Sequence, residues 1–146
     1  VGNPDAGPVY AELAAAGVER LTNYGIGDYL ADTLGGKEAA AVEIRKRGEA
    51  WAKEFDANCL YQLYEAGIGS DMTPYASKYK APLLNVLADT DNIVDVALGQ
   101  PTVDLLKAEG LDAEFCEIKT KYGHAGPMID ADLWADKLRT FLDRTP

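Results

Sequence analysis

Pro82-Leu83-Leu84-Asn85-Val86-Leu87-Ala88 runs directly into Asp89-Thr90-Asp91-Asn92. The first seven residues form a short, almost continuous apolar run, the pattern of a strand buried on both faces. The next four are polar and end it. Downstream, a helix is predicted from about Gln100 to Glu109, closed by Gly110. An alternating strand follows, Ala113-Glu114-Phe115-Cys116-Glu117-Ile118, and its loop runs from Lys119 to Pro127. A final helix starts near Asp130 and carries Leu133, Trp134, Leu138, Phe141 and Leu142 on one side. The order is strand, helix, strand, helix. With a crossover helix of that length, the two strands are most simply parallel neighbours in one sheet.

That topology makes a chemical prediction. In open parallel sheets, ligands sit outside the carboxyl ends of the strands. Asp91 lies just past the end of the first strand, and His124, the only histidine, lies past the end of the second. They are 33 residues apart, about one βαβ unit. Adjacent parallel strands would bring both side chains to the same edge. A carboxylate beside an imidazole fixes its tautomer and stabilises the imidazolium, so that the other nitrogen can take a proton. These are two members of a nucleophile triad in the chain order of the α/β-hydrolases. Asp89 and Asp95 compete with Asp91 for the role, and any of the three can instead cap a helix or make a turn. The nucleophile is missing: there is no Gly-x-Ser-x-Gly, and the two serines, Ser70 and Ser77, do not follow a strand into a helix.

The upstream half reads differently. Pro8 suits the first turn of a short helix through residues 10–16, with Gly17 ending it. Residues 17–36, with Gly25, Gly27, Gly35 and Gly36, read as irregular. Residues 37–66 form the longest helical stretch, with Ala39, Val42, Trp51, Phe55, Leu60, Leu63 and Tyr64 at helical spacing and Gly48 as a break. Trp51 and Phe55 are expected in the helix packing, and Cys59 as a small buried hydrophobe.

Composition bounds the rest. The chain has 146 residues, 47% hydrophobic and 26% charged, enough for an ordinary core. Acidic residues outnumber basic ones by 24 to 14, a net charge of −10 that repels phosphate backbones and argues against nucleic acid. No polybasic segment or bilayer-length apolar run points to a membrane. Cys59 and Cys116 are isolated and lack metal-ligand spacing, so a reducing, cytoplasmic compartment is expected and no metal is assigned. The chain begins Val1-Gly2-Asn3 without an initiator Met, as a processed or trimmed piece would.

Two motifs add a family resemblance. Glu54-Phe55-Asp56-Ala57-Asn58-Cys59-Leu60-Tyr61 precedes the strand region, and Asp91-Asn92-Ile93-Val94 and Lys121-Tyr122-Gly123-His124 lie within it. In this order and spacing, residues 40–143 resemble the C-terminal part of α/β-hydrolase-fold enzymes of the homoserine O-acetyltransferase-like family. The resemblance implies an α/β fold whose last two parallel strands and helices occupy residues 81–146, with a helical lid at residues 1–80. It implies acyl transfer through a serine ester, with Asp91 as triad acid and His124 as general base. Tyr61 and Tyr64 become candidate substrate-contacting residues of the lid. The serine, its Gly-x-Ser-x-Gly elbow and most of the sheet would belong to a companion chain. The substrate would be a small ester or acyl donor, with no cofactor beyond acyl-CoA as co-substrate of a transferase. Two departures bear on the acceptor: Ala125 stands where the family has an acid, and Glu54 where it has Arg. Both weaken recognition of a zwitterionic amino acid and favour water or another alcohol over homoserine.

Two other readings stay open. Asp89-Thr90-Asp91 after an apolar strand also resembles the strand-end loop of haloacid-dehalogenase-type phosphatases, in which Asp89 would be a nucleophile and Mg²⁺ ligand. That architecture needs several more strands, and one follows. The chain could also be a non-catalytic binding subunit with a vestigial Asp–His pair.

Overall fold

The computed structural model describes residues 7–144, which form two compact units divided between Asp71 and Met72. From sequence the boundary falls at 80/81. It lies earlier because the 3₁₀ turn Thr73–Lys78 packs with the strand-bearing unit, where Ala76 joins the core.

The first unit is helical: α1 (Pro8–Asn23), α2 (Ile26–Leu34), α3 (Lys37–Glu54) and α4 (Ala57–Ile68). Pro8 does open α1, but Gly17 does not close it, and α3 runs unbroken through Gly48. Both glycines are contact residues. A β-carbon on Gly48 would lie 2.9 Å from the Ala14 carbonyl oxygen and the Val18 nitrogen, and one on Gly17 would lie 3.0 Å from the Gly48 α-carbon. They let the α1 and α3 backbones touch. The buried seam of α3 is accordingly Ala40, Ile44, Gly48 and Ala52, at every fourth residue, while Val42 faces solvent. The glycine-rich stretch expected to be irregular contains α2. Gly25 and Gly35 flank it with φ of 83° and 87°, the left-handed backbone that lets a chain leave one helix and begin the next. Leu30, Ala40 and Ile44 form this unit's core, with Val18, Leu21, Ile26 and Tyr29 against it.

The actual break after α3 comes at Phe55-Asp56. Asp56 caps α4, its carboxylate accepting the Asn58 amide at 2.8 Å. Trp51 and Phe55 are half-buried and stacked, ring centroids 4.6 Å apart, with the Arg20 guanidinium over Trp51. No residue of α4 is buried, so Cys59, expected inside, is exposed.

The second unit holds β1 (Leu83–Ala88), α5 (Gly99–Ala108), β2 (Ala113–Ile118), the short α6 (Gly126–Ile129) and α7 (Ala135–Arg144). The strands pair in parallel with Leu83 opposite Ala113 and Ala88 opposite Ile118, so their carboxyl ends finish level. Val103 and Leu106 of α5 pack with Leu111 and Ala113, against Leu83 and Phe115. Gly99 opens α5 against the Phe115 ring, where a β-carbon would fall 2.2 Å from the nearest ring carbon. Gly110, with φ 84°, turns the chain into β2. The final helix begins at Ala135 rather than Asp130, after a 3₁₀ turn, and of its expected apolar face Phe141 is buried while Leu142 is exposed. Among the described residues the sheet has these two strands alone. Leu83 to Leu87 therefore stay half-exposed, where the apolar run predicts burial on both faces. No helix among the described residues is long and apolar enough to cross a membrane.

Candidate active site

Level strand ends set the site. Asp91 stands three residues beyond β1, and His124 six beyond β2 in a 3₁₀ turn, Gly123–Ala125. Oδ2 of Asp91 lies 2.8 Å from Nδ1 of His124. The other oxygen, Oδ1, accepts the amides of Ile93 at 2.8 Å and Val94 at 3.0 Å. The turn-forming and histidine-holding roles therefore coexist at Asp91, divided between its two oxygens.

Asp89 and Asp95 are engaged otherwise. Asp89 accepts the Thr120 amide at 3.0 Å and lies near the Lys119 ammonium, tying the strand ends together. Asp95 caps the turn before α5 by accepting the Ala97 amide. Tyr61 and Tyr64 belong to the helical unit, both exposed on α4.

The Asp91 side chain is 2% exposed and that of His124 35%. Burial pushes the Asp91 carboxyl up. The Val94 amide, His124 and the Ile93 amide together outweigh it, leaving the carboxyl below its ordinary value. An ionised carboxylate at Nδ1 selects the tautomer with its proton on that nitrogen. In that tautomer Nε2 carries the lone pair, the form that accepts a proton from a hydroxyl and returns it.

Further contacts that the sequence did not reveal hold this loop. Thr90 Oγ1 donates to the Thr120 carbonyl at 2.6 Å and accepts the Gly123 amide at 3.1 Å. Thr120 Oγ1 in turn donates to Asp130 at 2.5 Å and accepts the Tyr122 amide. Gly123 has φ 53°, and Gly126 lies so close to Thr120 and Ala88 that a β-carbon would fall 2.3 Å from the Thr120 methyl. The sole signal in sequence was the Asp-Thr-Asp after a strand, whose partners lie 30 residues downstream.

No family model matches the chain. A serine O-succinyltransferase of Stenotrophomonas maltophilia (strain K279a) is 30% identical over 113 residues, covering 70% of this chain and 30% of that protein. A homoserine O-acetyltransferase of Methanosphaerula palustris is 23% identical over 108 residues, covering 70% of this chain and 22% of that one. The crystal structure of esterase E22 matches with a TM-score of 0.68 at 24% identity, over 91% of this chain and 42% of that one. The chain is part of a homoserine O-acetyltransferase-like α/β-hydrolase fold. It spans less than a third of the length of these curated relatives.

Proposed function

We propose that this chain works in serine-dependent acyl transfer, with Asp91 and His124 as triad acid and base. The observation that carries this reading is the 2.8 Å contact between a buried carboxylate and a third-exposed imidazole at the level ends of two parallel strands. A companion chain with Gly-x-Ser-x-Gly and the rest of the sheet supplies the nucleophile. Support for a sheet larger than these two strands comes from the half-exposed β1. The helical unit that ends at Asp71 carries the candidate substrate-contacting residues Tyr61 and Tyr64.

In the reaction, His124 Nε2 takes the serine proton as the hydroxyl attacks the acyl carbonyl. It hands that proton to the departing group. It then activates water or an alcohol, which releases the acyl group and restores the serine. Asp91 keeps Nδ1 protonated and stabilises the imidazolium. The oxyanion hole lies on the companion chain. Acyl-CoA is a co-substrate if the acceptor is an alcohol.

Ala125 shapes the acceptor. Ala125, beside the base, is buried and bears no charge for an ammonium group. An activated acetyl ester should therefore be hydrolysed by the native particle, while homoserine with acetyl-CoA reacts at least about 10²-fold less efficiently in kcat/KM, the order of discrimination that mismatched polar groups produce. Steady-state assays of both substrates test this. Efficient acetylation of homoserine would contradict the assigned acceptor class, and turnover of neither would contradict acyl transfer.

A further inference from the structure

We propose that Thr90 is a positioning residue of the Asp91–His124 pair, its hydroxyl setting the imidazole's orientation by bridging the loops that carry the two groups. This rests on the acyl-transfer reading for its purpose and on geometry alone for its mechanism. Thr90 directly precedes Asp91, and Gly123 directly precedes His124. The Thr90 hydroxyl accepts the Gly123 amide at 3.1 Å and donates to the Thr120 carbonyl at 2.6 Å, both bonds part-buried. One oxygen thus uses its donor and an acceptor site on the same neighbouring loop. The backbone immediately before the base is fixed to the side chain of the residue immediately before the acid.

Two further features confine that loop. Gly123 turns at φ 53°, a left-handed backbone that a side chain at this position would disfavour, so the loop passes here in one conformation. Thr120, tied through its hydroxyl to Asp130 and Tyr122, cannot yield its carbonyl without disturbing both. Removing the Thr90 hydroxyl therefore frees the Tyr122–Gly123 peptide, the last link before His124, while leaving Asp91 with its Ile93 and Val94 amides. The carboxylate stays; the imidazole loses its aim.

The test exploits the single histidine, since one imidazole gives an unambiguous signal. Long-range ¹H–¹⁵N correlation on the full ¹⁵N-labelled chain, at alkaline pH with the ring neutral, reports which nitrogen bears the proton. Wild type and Thr90→Ser should carry it on Nδ1. Thr90→Val, which keeps the shape and loses the hydroxyl, should show the averaged tautomers of an unrestrained ring. In the native particle its kcat on an activated ester should fall about 10²-fold with KM little changed, the size of a misplacement effect. A merely structural threonine would lower Tm and leave the tautomer alone, so an Nδ1-protonated ring in folded Thr90→Val overturns the proposal. Should Thr90→Val not fold, wild type decides. A Gly123 amide protected from exchange, with a nuclear Overhauser effect to a Thr90 hydroxyl proton, supports the bridge; a rapidly exchanging Gly123 amide overturns it. The tautomer is read without substrate. A scrambled ring alongside an inactive wild type would uphold the bridge and count against the acyl-transfer reading.

Discussion

His124→Ala should reduce turnover of an activated ester by about 10⁴- to 10⁶-fold, the range seen when the base of a serine triad is removed. At about 1.36 kcal/mol per tenfold, that is roughly 5–8 kcal/mol of transition-state stabilisation. The loss is large because the imidazole serves twice, as base in acylation and as acid when the leaving group departs. No other group in the described pair can substitute, since Asp91 is buried and already committed to two amides. The fold should tolerate the change: the imidazole is a third exposed, and the loop's hydrogen bonds run through Thr90, Thr120 and Gly123. Far-UV circular dichroism beside single-turnover kinetics would separate the two effects. Activity within a few-fold of wild type would reject His124 as the base.

Asp91→Asn should cost about 10⁴-fold in kcat, with the backbone nearly unchanged. The amide oxygen of asparagine can still accept the Ile93 and Val94 amides, so the turn survives. Its NH₂ then faces Nδ1 as a donor. This reverses the tautomer, placing the proton on Nε2, where the serine proton would have to go. Asp91→Ala would differ, leaving the part-buried Val94 amide without its acceptor at a cost of about 1–3 kcal/mol.

The same variant has a signature in pH. Asp91 is more acidic in the folded chain than in the unfolded one. Its contribution to stability is therefore complete above the ordinary carboxylate value of about 3.9 and is lost as pH falls through its own lower value. Denaturant titrations from pH 6 downwards should show wild type losing this increment in acid. Asp91→Asn, with nothing to titrate there, should show a shallower decline. Equal acid limbs would mean that the carboxylate is not held ionised by its neighbours.

How much of this was legible follows from how local each signal is. The apolar run Leu83–Ala88 and the alternation Ala113–Ile118 mark strands by their own residues, and both lie where the patterns put them. Convergence of Asp91 and His124 needed one inference more, that a helix of α5's length returns the chain parallel to itself. The glycines were misread because their meaning depends on a partner. Gly17 and Gly48 look like helix stops until another helix is laid across them, and Gly25 and Gly35 join helices where they seemed to prevent them. The outward face of α4 was opaque for the same reason. Leu60, Leu63 and Tyr64 recur at helical spacing, yet all three are exposed. Thr90 was invisible as a functional residue because a hydroxyl has no periodicity, and its partners are supplied by a loop far along the chain.

We propose that this Asp–His pair serves a serine outside these 146 residues. A fluorophosphonate tests it most directly, since it phosphonylates an activated serine oxygen with loss of fluoride. The native particle would be treated with it and the adduct located by peptide mass spectrometry. The account predicts a single adduct on the serine of a Gly-x-Ser-x-Gly sequence outside these 146 residues, formed far more slowly when His124 is alanine. An adduct on Ser70 or Ser77, or labelling as fast without His124 as with it, would contradict it.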